Sequence, residues 1–279
     1  MIKQHDIVVH GRRVHYLRAG SGPLVLLLHA LGETAGSWRW VLPALAPNFT
    51  VLAPDLPGFG HSERLAEQPT PARLALAVAE FLDACTAGPV IVVGNSFGGS
   101  AAIQTAVHVP QRVARLVLVA STGLGRYVHP ALCALALPGY GEFASALGKT
   151  CLGAAQRAWL RVPLLFRNPG LAPPTWLAEQ RRVARFPDHL DTTLAALRAQ
   201  VSPFGQRNLM LTKLFRLDIP VLLIWGANDM VLPVTQAYAA IRQLRNSHLR
   251  VIPNCGHLPQ VERPERFTEA VDQFLQTAT

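Results

Sequence analysis

Six short apolar runs punctuate the chain: LVLLLHA (24–30), FTVLAPD (49–55), VIVVGNS (90–96), VARLVLVAS (113–121), PVLLIWGAND (220–229) and LRVIPNCGH (249–257). Most are continuously apolar rather than alternating, the pattern of strands buried on both faces of a parallel sheet. Ahead of them, IVVHGRRVHYLRAG (7–20) alternates polar and apolar positions around Gly11 and predicts an antiparallel hairpin. Helical patterns fill the gaps. In TPARLALAVAEFLDAC (70–85), Leu74, Val78, Phe81 and Leu82 share one face, with Thr70 placed to cap the start. FGGSAAIQTAVHVP (97–110) predicts a helix stopped near Pro110, WRWVLPALAP (38–47) a short one, and PERFTEAVDQFLQ (264–276) a final one. Strands alternating with helices predict an α/β fold, a mostly parallel eight-stranded sheet covered on both faces.

The rhythm breaks between residues 124 and 215. That stretch is helical in composition, is punctuated by prolines such as Pro138, Pro163, Pro173 and Pro187, and contains no strong strand pattern. It predicts a helical lid inserted into a core formed by residues 1–123 and 216–279. Charge sharpens the picture. The chain has 279 residues and a formal net charge of +9. The inserted stretch alone carries eleven Lys/Arg against four Asp/Glu, an excess of seven positive charges. A basic lid predicts attraction of anionic small molecules and a weak contact with anionic surfaces. No basic run interleaved with aromatics appears, so nucleic acid is not an expected partner. No apolar run is long enough to span a bilayer and the N-terminus lacks a signal-like apolar core, so a cytoplasmic protein is expected. The four cysteines are widely spaced, without a zinc or disulfide pattern, and no metal is expected.

The stretch VVGNSFGGSA (92–101) concentrates chemistry. A serine flanked by glycines two residues before and two after, between strand and helix, is the pattern of a sharp turn that lifts a hydroxyl clear of the backbone. Gly94 and Gly98 keep side chains out of the neighbouring strand and helix, and Gly99 permits closer packing. A serine needs a base, and the base an orienting acid. His257 follows the last strand in NCGHLPQ, where Gly256 is expected to free the backbone for the ring. Asp229 ends the preceding strand in WGANDMVLP, and the rival strand ending at Ser121 offers no carboxylate. Two backbone donors for an oxyanion are expected at Phe97, the first residue of the following helix, and at Leu31 in HALGET.

HALG (29–32), DLPGFGHS (55–62), GNSFGG (94–99), WGANDMVLP (225–233) and NCGHLPQVERPERF (254–267) together resemble the α/β-hydrolase superfamily over nearly the whole chain, with His29-Ala30 where relatives usually have His-Gly. The resemblance implies an α/β-hydrolase fold, a catalytic triad of Ser96, Asp229 and His257, and no organic cofactor or metal. It also implies structural roles for His29, Asp55 and Ser62. The expected function is hydrolysis of small or medium apolar carboxylic esters, with Asn95, Trp159 and Leu258 lining the substrate site and lid residues such as Tyr140, Phe143 and Trp176 contributing an apolar pocket. GNS at the elbow is also similar to C–C bond hydrolases of aromatic ring-fission products. Those enzymes usually carry Trp after the catalytic histidine, where this chain has Leu258. A receptor-like protein that keeps the triad but uses the pocket for binding is a third alternative, distinguished by the absence of turnover.

Overall fold

The computed structural model describes residues 1–276. Its main sheet has eight strands: β1 (Lys3–Val9), β2 (Arg12–Ala19), β3 (Leu24–Leu28), β4 (Thr50–Pro54), β5 (Val90–Asn95), β6 (Val113–Val119), β9 (Val221–Gly226) and β10 (Ser247–Ile252). Their spatial order is β1-β2-β4-β3-β5-β6-β9-β10. The β1–β2 hairpin and the β2–β4 pairing are antiparallel, and every other pairing is parallel.

The continuous apolar runs are explained by burial on two sides. Successive strand residues point to opposite faces. Leu26, Leu28, Val92, Leu116, Leu118 and Trp225 join one core, together with Leu74, Phe81 and Ile103. Val25, Leu27, Val93, Val117 and Ile224 join the other, with Trp38, Leu42, Phe267 and Phe274. The first face is covered by α2 (Pro71–Cys85) and α3 (Phe97–His108), the second by α1 (Leu42–Leu45) and α12 (Pro264–Gln276). Thr70 caps α2 as expected, its hydroxyl accepting from Arg73 N at 3.3 Å. The helix expected over 38–47 is instead a 3-10 turn at Ala35–Trp38 followed by the four-residue α1. Pro43 has no N–H to donate back into a preceding turn and sits at the start of α1, where that donor is not needed.

Between β6 and β9 the chain is helical: α4 (Pro130–Leu135), α5 (Tyr140–Gly148), α6 (Cys151–Leu165), α7 (Pro174–Val183), α8 (His189–Gln200) and α9 (Leu211–Phe215). A two-stranded ribbon, β7 (Val201–Ser202) with β8 (Gly205–Gln206), sits after α8 and is too short to leave a sequence pattern. Beyond β9 come α10 (Thr235–Ile241) and α11 (Pro259–Glu262). Among the described residues, no helix is long and apolar enough to cross a membrane.

Candidate active site

The carboxyl ends of parallel strands are where α/β sheets gather ligands and chemistry. Here β3, β5, β9 and β10 deliver His29–Leu31, Ser96, Asp229 and His257 to that one edge.

Ser96 sits between β5 and α3 with φ +52° and ψ −112°. A non-glycine residue held there costs of order 1–3 kcal/mol and persists only where its surroundings enforce it. The enforcement is visible. Ser96 N donates to Val119 O at 2.8 Å, and its own carbonyl accepts from Gly99 N, Ser100 N, Thr122 N and Thr122 Oγ1. A Cβ on Gly94 would overlap the Gly98 carbonyl, and one on Gly98 would overlap the carbonyls of Leu28 and His29. The glycines around Ser96 are thus required by the close approach of α3 to β3 and β5.

Asp229 is fixed by its own loop: Oδ1 accepts from Val231 N at 2.8 Å and Leu232 N at 3.0 Å. Its Oδ2 lies 2.8 Å from His257 Nδ1, with both side chains almost fully buried. The carboxylate is an acceptor, so Nδ1 is the donor of this bond. Neither Ser96 Oγ nor His257 Nε2 is engaged by another group among the described residues, and neither is sealed from solvent. Gly256 serves His257 differently than expected: its φ is not positive, and a Cβ there would strike the Leu165 carbonyl and Arg167 N. Gly256 is needed for close packing against the end of α6, where His257 N donates to Leu165 O at 2.8 Å.

The N–H groups of Phe97 and Leu31 have no acceptor among the described residues. The loop carrying Leu31 is anchored by His29, whose Nδ1 donates to Ala30 O at 2.9 Å while Nε2 accepts from Leu56 N at 2.9 Å. Complete burial holds the His29 imidazole neutral, pushing its pKa down to about 4. Asp55, whose carboxylate accepts from Ala35 N and His61 N, and Ser62, whose hydroxyl accepts from His15 N, brace the same region.

Two side chains expected at the substrate are placed elsewhere. Asn95 is fully buried: Nδ2 donates to Val119 O (2.9 Å) and His257 O (3.4 Å), and Oδ1 accepts from Gln260 Nε2 (3.0 Å). It is an internal strut joining the elbow to the histidine loop. Trp159 lies on the outer face of α6 and is 55% exposed, and Tyr140 and Phe143 are likewise exposed. Leu258 is fully buried beside His257. Trp176 is buried, but its Nε1 donates to Glu33.

Sequence reasoning missed two buried acids. Glu33, just past Leu31, accepts from Arg161 Nη2 (2.8 Å), Trp176 Nε1 (3.1 Å) and Gln180 Nε2 (3.1 Å). Arg161 also donates to the carbonyls of Leu31 and Gly32 and to Gln180 Oε1. Burial raises the Glu33 pKa, and Arg161 opposes the rise. Glu262 accepts from Gly256 N (2.6 Å), Asn168 N (2.8 Å) and Arg167 N (3.2 Å). The two carboxylates fasten α6 and α7 to the loop after β3 and to the histidine loop. A glutamate four residues beyond His29 and another in PQVERPERF were the available signals, but solitary acids in polar stretches carry no periodicity.

A serine raised at a strand-to-helix elbow, at the carboxyl edge of a mostly parallel eight-stranded sheet, defines a hydrolase-type α/β enzyme. The model of the alpha/beta hydrolase family matches residues 25–270, and the chain belongs to that family. It is 34% identical over 285 residues to the uncharacterized protein Rv2715 of Mycobacterium tuberculosis, covering 96% of this chain and 80% of that protein. It is 30% identical over 283 residues to 2-hydroxymuconate semialdehyde hydrolase of Pseudomonas sp., covering 98% and 94% respectively. Among solved structures it is similar to CarC, a serine hydrolase involved in carbazole degradation, with a TM-score of 0.82, 26% identity and coverage of 99% of this chain and 100% of that one.

Proposed function

We propose that the protein is a serine hydrolase of carboxylic esters, with Ser96, His257 and Asp229 as its triad and the helical stretch 124–215 as a lid over the site. The observation that carries this reading is the strained Ser96 elbow beside a buried His257–Asp229 pair bonded at 2.8 Å, with uncommitted N–H groups at Phe97 and Leu31. Ser96 Oγ adds to the ester carbonyl as its proton passes to His257 Nε2. The C–O bond then breaks, and His257 returns the proton to the departing alcohol. Water repeats the sequence in reverse, giving up a proton to His257 and releasing the acid and Ser96. The negative charge on the carbonyl oxygen in each addition step is met by the Phe97 and Leu31 amides, each worth about 10²–10³ in turnover. No organic cofactor takes part in this scheme.

A second reading, cleavage of a C–C bond in an aromatic ring-fission product, is favoured by the similarity to 2-hydroxymuconate semialdehyde hydrolase and by Asn95 ahead of the nucleophile. Leu258 after His257 favours the ester reading. The test is Ser96→Ala assayed on 4-nitrophenyl butyrate and on a dienoic ring-fission ketone in parallel. Loss of about 10⁴–10⁶ in ester turnover is expected. Full ester activity in the variant refutes the triad, and wild-type turnover confined to the ketone replaces the first reading by the second.

A further inference from the structure

A helix on the surface of a protein in water turns its large apolar side chains inward and its polar ones outward. The α5–α6 pair does the reverse. Between residues 140 and 160 the buried positions are all small: Gly141 and Gly148 on α5, and Gly153, Ala154 and Ala158 on α6. A Cβ on Gly153 would overlap the Leu147 carbonyl, and one on Gly141 or Gly148 would press on Leu194 or Leu190. The outward positions carry the bulk. Tyr140, Phe143 and Leu147 recur at helical spacing along α5, and Leu152, Trp159 and Leu160 stand out from α6, all between 43% and 87% exposed. The two arginines of α6 turn away from this face, Arg161 to Glu33 and Arg157 with its Nη1 buried. A large apolar face left open to water marks an interaction surface.

Charge selects the occupant. All four acids of the stretch 124–215 are already paired: Glu142 with Arg198, Glu179 with Arg182, Asp188 with Arg64 and Asp191 with Lys149. Arg167, Arg181, Arg185 and Arg207 are exposed and make no ion pair among the described residues. Arg207 stands beside the apolar face. With Arg198, Leu137 and Pro138 it lines a cleft of about 290 Å³ at the approach to α5. Its Nε donates to Val201 O at 3.2 Å, and its two Nη groups have no acceptor among the described residues. A second copy of this chain would set one net charge of +9 against another. A protein partner of any kind would be fixed by regular hydrogen bonds, and the six outward side chains offer one phenol and one indole N–H between them. A lipid surface with anionic headgroups meets both halves of the pattern, taking apolar rings at the headgroup–acyl boundary and drawing cations to its phosphates.

We propose that the outer face of α5 and α6 docks on an anionic lipid surface, with Phe143, Leu152 and Trp159 entering the headgroup–acyl boundary and Arg207 meeting a headgroup phosphate. The proposal does not depend on which bond the protein cleaves.

The experiment sediments the full chain with vesicles of equal parts phosphatidylcholine and phosphatidylglycerol, and with vesicles of phosphatidylcholine alone. Binding to the mixed vesicles is expected to be about tenfold tighter or more, and to weaken as salt rises. Trp159 serves as reporter, because the other four tryptophans are buried or half-buried. Its emission is expected to shift to the blue on the mixed vesicles, and Trp159→Phe is expected to bind without that shift. Phe143→Ser combined with Leu152→Ser is expected to weaken binding about tenfold or more, and Arg207→Gln about fivefold. Thermal unfolding checks that these exposed substitutions leave the fold intact. Should the double variant not fold, the wild-type emission shift and the Arg207→Gln loss decide. Failure to sediment with either vesicle, or equal binding to both, overturns the proposal. So does a dimer in solution that Phe143→Ser with Leu152→Ser splits while vesicles stay unbound, which would give the face to a second copy.

Discussion

Acid is expected to unfasten the protein at His29. The folded chain holds this imidazole neutral down to about pH 4, whereas an exposed histidine takes up its proton near 6.5. Between those values the unfolded state binds a proton that the folded state refuses. Stability is therefore complete above about pH 6.5 and falls as the pH drops toward 4. The gap corresponds to about 3 kcal/mol once both forms are protonated, and to about 2 kcal/mol at pH 5. The structural reason is specific. A protonated His29 turns Nε2 from an acceptor into a donor facing the Leu56 N–H, and the strut behind Leu31 is lost. The measurement is urea unfolding followed by circular dichroism at pH 7.5 and 5.0 for wild type and His29→Asn. With a slope of about 3 kcal/mol/M, the wild-type midpoint should fall by about 0.7 M more than that of the variant. His189, whose pKa is driven down chiefly by burial and by Arg157, contributes the same sign in both proteins, and only the part of its shift that His29 causes stays in the difference. Equal midpoint shifts in the two proteins would refute the assignment of His29 as the neutral anchor.

Asp229→Asn is expected to lower kcat for 4-nitrophenyl butyrate by about 10⁴ with little change in KM, because the amide favours the wrong imidazole tautomer. Steady-state kinetics reads the split directly, and unchanged kcat moves the acid elsewhere. Glu262→Gln is expected to destabilise the fold by about 1.5–3 kcal/mol, since three backbone N–H groups lose a charged acceptor. A lower kcat should accompany it as the His257 loop loosens, and chemical denaturation beside kinetics checks both.

The sheet was readable because its strands are buried twice over. A run such as LVLLL feeds Leu26 and Leu28 to one core and Val25 and Leu27 to the other, so every residue is apolar and the run stands out. The elbow was readable because close backbone approach demands glycine and leaves a spacing in the sequence. Asp229 emerged because the competing strand end has no carboxylate. Side-chain direction in the helical stretch was not readable. Trp159 and Trp176 both lie on amphipathic helices, and only tertiary packing turns one outward and buries the other against Glu33. Asn95 looked like a substrate contact because it adjoins Ser96, yet alternation along β5 turns it inward to Val119 and His257. Glu33 and Glu262 were invisible for the opposite reason: a buried acid is defined by its partners, and apart from Gly256 those lie more than 90 positions away.

Those two glutamates have a mechanical consequence. Glu33 grips Arg161 and Gln180, on α6 and α7, and Glu262 grips Arg167 and Asn168 just past the end of α6, so the helical stretch is tied at two points, one to the loop after β3 and one to the histidine loop. Swinging it away as a hinged flap would break both carboxylate clusters together and drag the histidine loop out of register. If the proposed ester hydrolysis holds, these ties predict entry without lifting of that stretch, and turnover that rises smoothly with substrate concentration, without a jump where an ester begins to form droplets.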